Sequence, residues 1–179
     1  MRIKTSRFGE VEFQEDDLLE FKEGLLGFMQ LRKFVILDDP NDEIFAWLQS
    51  CESPEIAFPI LEPELFAPDI SVTIPKSDID ALGLTSAEDA RLFCIITIPV
   101  DPTQMTANMK APLLINAPKR IARQCVLQDN NLAIREPVFS RLQQRVLNNP
   151  QAQVKPDTSD MGAIKLPEKS QGPGPEAEL

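Results

Sequence analysis

Apolar and polar positions alternate in short bursts along the first hundred residues. Residues 2–5 and 10–13 flank Ser6-Arg7-Phe8-Gly9, with Val11 and Phe13 set between Glu10 and Glu12. This predicts a hairpin with one wet and one dry face, Gly9 supplying a positive φ at its turn. A short extended piece over 18–21 follows. Glu23-Gly24-Leu25-Leu26-Gly27-Phe28 then predicts a compact loop turning its apolar groups inward. Strands are predicted over 34–37, 44–49, 56–61, 70–74, 92–98, 113–116, 121–127 and 132–135, with turns at 117–120 and 128–131. Phe45 and Trp47 should share a strand face, Pro59 should mark an edge or a bulge, and 92–98 should be the central strand. One short helix fits 76–82, capped by Ser77 or the Pro75 junction and stopped by Gly83.

About ten short strands with one short helix predict an all-β fold, an antiparallel barrel-like single domain. Long helices alternating with strands are absent, as is a phosphate-cradling glycine loop. Phe139, Leu142, Val146 and Leu147 recur at helical spacing, so 139–148 reads as a short amphipathic helix, expected to pack on the barrel over 1–138 rather than stand free. Over 149–179, prolines and glycines break any period, which predicts a disordered tail.

Asp101-Pro102-Thr103-Gln104-Met105-Thr106-Ala107-Asn108-Met109-Lys110-Ala111-Pro112 lies between two apolar runs and is punctuated by proline. Two readings stand. Met105, Thr106, Asn108, Met109, Lys110 and Pro112 form a protein-binding surface of adaptable Met side chains and a polar amide, or the stretch is a crossover that tucks Met105 and Met109 under the sheet edge. Asp38-Asp39-Pro40-Asn41-Asp42-Glu43 superficially resembles a calcium loop. It lacks the sixth-position glycine and distal glutamate, and reads as an acidic turn.

Charge and composition narrow the function. Residues 1–100 hold 20 acidic against 8 basic residues, a net of −12, whereas 101–148 are net +4. An acidic body repels phosphates, so direct nucleic-acid binding is not expected, while a basic protein partner would be attracted. The chain has no histidine and no tyrosine, which removes Ser-His-Asp and Cys-His catalysis and imidazole metal ligation. The longest apolar run, 92–98, is far short of a membrane span, and Met1-Arg2-Ile3-Lys4 opens no secretory signal. Cys51, Cys94 and Cys125 are odd in number and widely spaced, as in a reduced cytoplasm. No cofactor or metal is called for. Two other function classes remain open: a small enzyme using a carboxylate and a lysine such as Asp101 and Lys110, and an RNA-binding β-barrel using Arg120, Arg123 and Arg135, which otherwise pair with the acidic half.

Five segments in order carry a further signal: Arg7-Phe8-Gly9-Glu10; Phe21-Lys22-Glu23-Gly24-Leu25-Leu26-Gly27-Phe28; Leu48-Gln49-Ser50; Ala57-Phe58-Pro59; and Met105 through Pro112. With Asp38-Asp39-Pro40 also in place, the chain from about residue 2 to 138 resembles the flagellar assembly factor FliW family. The resemblance implies a monomeric, barrel-like β protein without enzymatic activity and with two alternative protein partners. One is flagellin. The other is the carbon storage regulator CsrA, a small RNA-binding repressor of flagellin translation that the factor holds off while flagellin is scarce. The helix and tail beyond Val138 depart from the family pattern.

Overall fold

The computed structural model describes residues 1–168. In chain order its elements are β1 (Arg2–Thr5), β2 (Gly9–Glu12), β3 (Leu19–Phe21), β4 (Lys33–Asp38), β5 (Ala46–Ser50), β6 (Ala57–Leu61), α1 (Pro63–Phe66), α2 (Lys76–Ala81), β7 (Ala90–Thr97), β8 (Thr106–Ala107), β9 (Leu113–Asn116), β10 (Ile121–Gln124), β11 (Glu136–Pro137), α3 (Phe139–Asn148) and β12 (Ile164–Lys165). Seven strands close into a barrel in the order β7-β6-β5-β4-β3-β10-β9 and back to β7. Neighbours are antiparallel except β10 and β3, which run parallel through Ile121 opposite Glu20 and Ala122 opposite Phe21.

The two-residue period of a strand sorts the apolar side chains into two sets. Leu19, Phe21, Phe34, Ile36, Leu48, Ile60, Phe93, Leu113, Ile115 and Ala122 fill the barrel interior. Val35, Leu37, Trp47, Leu61, Cys94 and Leu114 face outward and are covered by Ile3 and Val11 of the β1–β2 hairpin, Leu65 and Phe66 of α1, and Leu142 of α3. Burial on both faces explains why β4 reads as a continuous apolar run. The hairpin has the expected turn, with Gly9 at φ 70.

Strand pairing is incomplete at both ends of the barrel. β6 pairs with β5 from Ala57 to Ile60 but with β7 only at Ile60 and Leu61. Pro59 therefore lies on a strand whose β7-facing edge is already unpaired, where a missing N–H is tolerated. β7 pairs with β9 over Ala90–Phe93 and with β8 at Ile96 and Thr97, so residues 108–112 bulge opposite Cys94 and Ile95 alone. At the other end, β3 covers only Lys33 and Phe34 of β4. The open edge at Leu37 and Asp38 is filled by β12, running parallel to it.

The acidic segment after β4 is a turn. Asp39 Oδ1 accepts from the Asn41 amide at 3.0 Å, Asp42 Oδ1 from the Ile44 and Phe45 amides at 2.9 Å, and Asp42 Oδ2 from Trp47 Nε1 at 2.7 Å.

Several expectations need correction. Residues 70–74 are not a strand. Ile70, Val72 and Ile74 are half-buried against the outer apolar set while Ser71 and Thr73 are exposed, but the backbone joins no ladder. Residues 132–135 are likewise outside any strand, pairing beginning at Glu136. α1 was not predicted; Pro63 opens it at its first turn, a position where proline costs nothing. Residues 149–168, expected in a disordered tail, run back along the barrel and place Met161 fully buried in the interior set. The rest of that tail, 169–179, lies outside the described residues.

Candidate functional site

At the end of the barrel where β6 and β7 part, the interior opens into a groove of about 320 Å³. Phe28, Phe58, Ile95, Thr97, Thr106 and Asn108 line it. Phe58 and Ile95 continue the inward-facing rows of β6 and β7, so the groove floor is the top layer of the core. Phe28 comes from the loop after β3 and stacks edge-on against Phe58, ring centroids 5.3 Å apart.

Local backbone chemistry sets that loop. Gly24 sits at φ 68, and a Cβ there would meet the Met29 carbonyl oxygen at 2.5 Å. Leu25 and Phe28 bridge each other, the Phe28 amide donating to the Leu25 carbonyl at 2.8 Å. Leu25 is buried, whereas Leu26 is turned outward and is 55% exposed. The Leu26 amide donates to Gln124 Oε1 at 2.8 Å, and Gln124 Nε2 donates to the Ala111 carbonyl at 3.0 Å. One glutamine thus ties the glycine loop to the stretch 105–112.

The rim is apolar. Met29 and Val126 are each more than half exposed, and Ile134 is 62% exposed. Leu26 also lines a neighbouring cleft with Met29 and Val126, which makes the apolar surface continuous across both. Charge at the rim is largely paired: Arg123 holds Asp78 at 2.6 Å and Glu23 at 3.3 Å.

The predicted contact stretch divides in two. Met105 and Met109 are 4% and 0% exposed, and Pro112 is buried with them. Met109 packs on Cys94, sulfur to sulfur at 3.6 Å. Thr106, Asn108 and Lys110 are half-buried, and Thr106 and Asn108 lie on the groove wall. Asn108 Oδ1 accepts from the Lys110 and Ala111 amides, both at 3.1 Å, so the side chain shapes the bulge that it tops. The polar row is what this stretch exposes; the methionines lie beneath it.

The other candidate residues have structural partners. Asp101 caps the turn at 102–104, accepting from the Thr103 amide and hydroxyl at 3.0 and 2.7 Å. Those bonds hold its carboxyl below the ordinary range, the reverse of what a general acid at neutral pH requires. Arg120 donates to the carbonyls of Asp17 and Met161, and Arg123 is ion-paired, which leaves Arg135 as the exposed cation on the groove. Burial pushes the thiols of Cys94 and Cys125 up to about 12 and that of Cys51 up to about 11. Among the described residues, no group of His, Cys, Asp and Glu is arranged to hold a metal ion, and no helix is long and apolar enough to cross a membrane.

Phe28, Phe58, Ile95 and Ile134 were not anticipated as site residues. The glycine loop reads in sequence as turning its apolar groups inward, whereas the structure buries Leu25 and displays Leu26.

The comparisons with known proteins agree on one family. A family model described as FliW protein matches residues 2–138. The flagellar assembly factor FliW of Bdellovibrio bacteriovorus is 66% identical over 155 residues, 87% of this chain and 89% of that one. The factor of the same description from Caldicellulosiruptor saccharolyticus is 39% identical over 144 residues, covering 80% and 94%. A crystal structure of the flagellar assembly factor FliW superposes with a TM-score of 0.72 at 29% identity, covering 78% of this chain and 97% of that chain. The chain belongs to the FliW family of flagellar assembly factors.

Proposed function

We propose that this protein is a cytoplasmic, monomeric regulator of flagellar assembly. It binds the translational repressor CsrA and, alternatively, flagellin, and so ties flagellin synthesis to flagellin demand. The groove at the open end of the barrel is the contact surface. The observation that carries this reading is the exposed apolar surface of Leu26 and Ile134 around the Phe28–Phe58 floor, continued by Met29 and Val126 in the neighbouring cleft. Contiguous exposed apolar surface rimmed by polar groups is characteristic of protein-interaction sites. Thr106, Asn108 and Arg135 supply polar contacts at its edge. Lys110, on the same bulge, is the remaining cation of the predicted contact stretch, and Met105, Met109 and Pro112 hold that stretch in place.

Calorimetric titration with purified CsrA and purified flagellin tests it, using the wild type and the single variants Leu26→Asp and Ile134→Asp. Both leucine and isoleucine are already exposed, so the variants should melt within about 0.5 kcal/mol of wild type. Each should weaken binding by about 2 kcal/mol, near thirtyfold. A wild type that binds neither protein would remove the partner assignment. Wild-type binding that both variants retain would move the site elsewhere.

A further inference from the structure

The family match ends at residue 138, yet residues 153–166 are woven into the barrel at the end opposite the groove. Three kinds of contact hold this strap. Lys155 Nζ sits in an oxygen-lined socket, 2.6 Å from the Asp38 carboxylate and 2.8 Å from the carbonyls of Asp39 and Asp42. Six residues on, Met161 is fully buried with the interior apolar set, its carbonyl held by Arg120. Ile164 and Lys165 then add a parallel strand to the open half of β4, and the Leu166 amide donates to the Asp38 carbonyl at 2.8 Å. Arg91 clasps the middle through Asp160 and the Asp157 carbonyl while pairing with Glu62 of the barrel.

These are the features of a bound extended peptide: a charged end in a polar socket, one apolar anchor in a pocket, and main-chain bonds to a free strand edge. The hinge that leads into it, at Asn149, Pro150 and Gln151, is exposed. We propose that the lower mouth of the barrel is a second peptide-binding site, separate from the groove, and that the strap is its tethered occupant. The site takes an extended polypeptide with the strap's own chemistry: a lysine, an unbranched apolar anchor six residues later, and a short strand beginning three residues after that. A free peptide of this kind competes with the strap, which enjoys the effective concentration of a short tether, on the order of millimolar.

The test uses the full chain with a protease recognition sequence inserted between Asn149 and Pro150. After cutting, the strap remains on the barrel by its contacts alone. A fluorescent synthetic peptide spanning 154–168 is then titrated in and followed by anisotropy. The cut protein should take up one peptide per chain as its own strap fragment leaves, and the uncut protein should take up far less. The same peptide carrying Met161→Asp should bind at least about thirtyfold more weakly, as for a lost buried anchor. A cut protein that never exchanges its strap, or that unfolds on cutting, would show that the strap is part of the fold and not a ligand. Equal binding of the two peptides would remove the pocket.

Discussion

At the scale of single residues, the stretch 105–112 separates what a residue type suggests from where the chain puts it. Met is adaptable at contact surfaces, but Met109 is completely enclosed and in contact with Cys94. The proline punctuation of this stretch is plain in the sequence; the bulge of five residues across two, which turns Met109 under, comes from strand pairing. Met109→Asp should therefore bury an unpaired charge and cost about 3–5 kcal/mol, visible as a large fall in the denaturant midpoint. Asn108→Ala should cost about 1–2 kcal/mol, because two amide bonds to its Oδ1 are lost at roughly 1 kcal/mol each. A Met109→Asp protein as stable as wild type would mean that the side chain faces solvent. The cysteines are legible at the same scale: apolar neighbours in sequence foretell buried thiols. With their pKa raised to about 12, Cys94 and Cys125 stay neutral at pH 8 and the reactive thiolate is scarce. Iodoacetamide should leave both unmodified in the native protein and label them on denaturation, as read by mass spectrometry.

At the scale of elements, period-two alternation reports an extended chain with one face down, and says nothing about whether a neighbour completes a ladder. Residues 34–37 and 92–98 are continuous apolar runs and are barrel strands; residues 70–74 alternate cleanly yet lie over the outer surface unpaired. That is why the barrel class is legible in the sequence while the segments 70–74 and 132–135 read as strands that the barrel does not contain. Residues 149–168 carry no periodic signature, yet one buried methionine and a few ion pairs anchor them. The glycine loop was legible in composition but not in consequence. Gly24→Ala combines a positive φ with a Cβ 2.5 Å from the Met29 carbonyl oxygen, and should cost about 3 kcal/mol and displace Phe28 from the groove. Gly27→Ala, at φ 80 with open space around its Cβ, should cost only about 1–2 kcal/mol. Equal costs for the two would mean that the close approach to Met29 is not rigid. Arg91 joins two elements and gives a pH-dependent expectation. Burial raises the carboxyl of Glu62 despite the opposing pull of Arg91. A folded-state pKa above the unfolded one favours the folded state at low pH, and this contribution is lost as pH rises through the folded value. Arg91→Ala removes the opposing pull and widens that window. The variant should lose about 2 kcal/mol at pH 8 and distinctly less at pH 5 in paired denaturant melts.

At the scale of the whole molecule, charge and apolar surface should govern different steps of association. The first hundred residues are net −12, the segment 101–148 is net +4, and several of its arginines are already committed to carboxylates or carbonyls. The field seen by an approaching protein is therefore acidic, and it acts before contact over roughly a Debye length, about 10 Å at 0.1 M salt. The proposed contact groove should act only after contact, through apolar burial that salt hardly screens. For a basic partner, raising sodium chloride from about 0.05 to 0.5 M should slow association by about tenfold while dissociation changes by less than about twofold. Leu26→Asp should show the opposite division, with dissociation accelerated and association little altered, because interface truncations act mainly on the off-rate. Stopped-flow mixing at four salt concentrations, with wild type and variant in parallel, separates the two. An association rate indifferent to salt would reduce the acidic body to a solubility feature, and a Leu26→Asp effect confined to association would mean that the groove rim steers the partner without holding it.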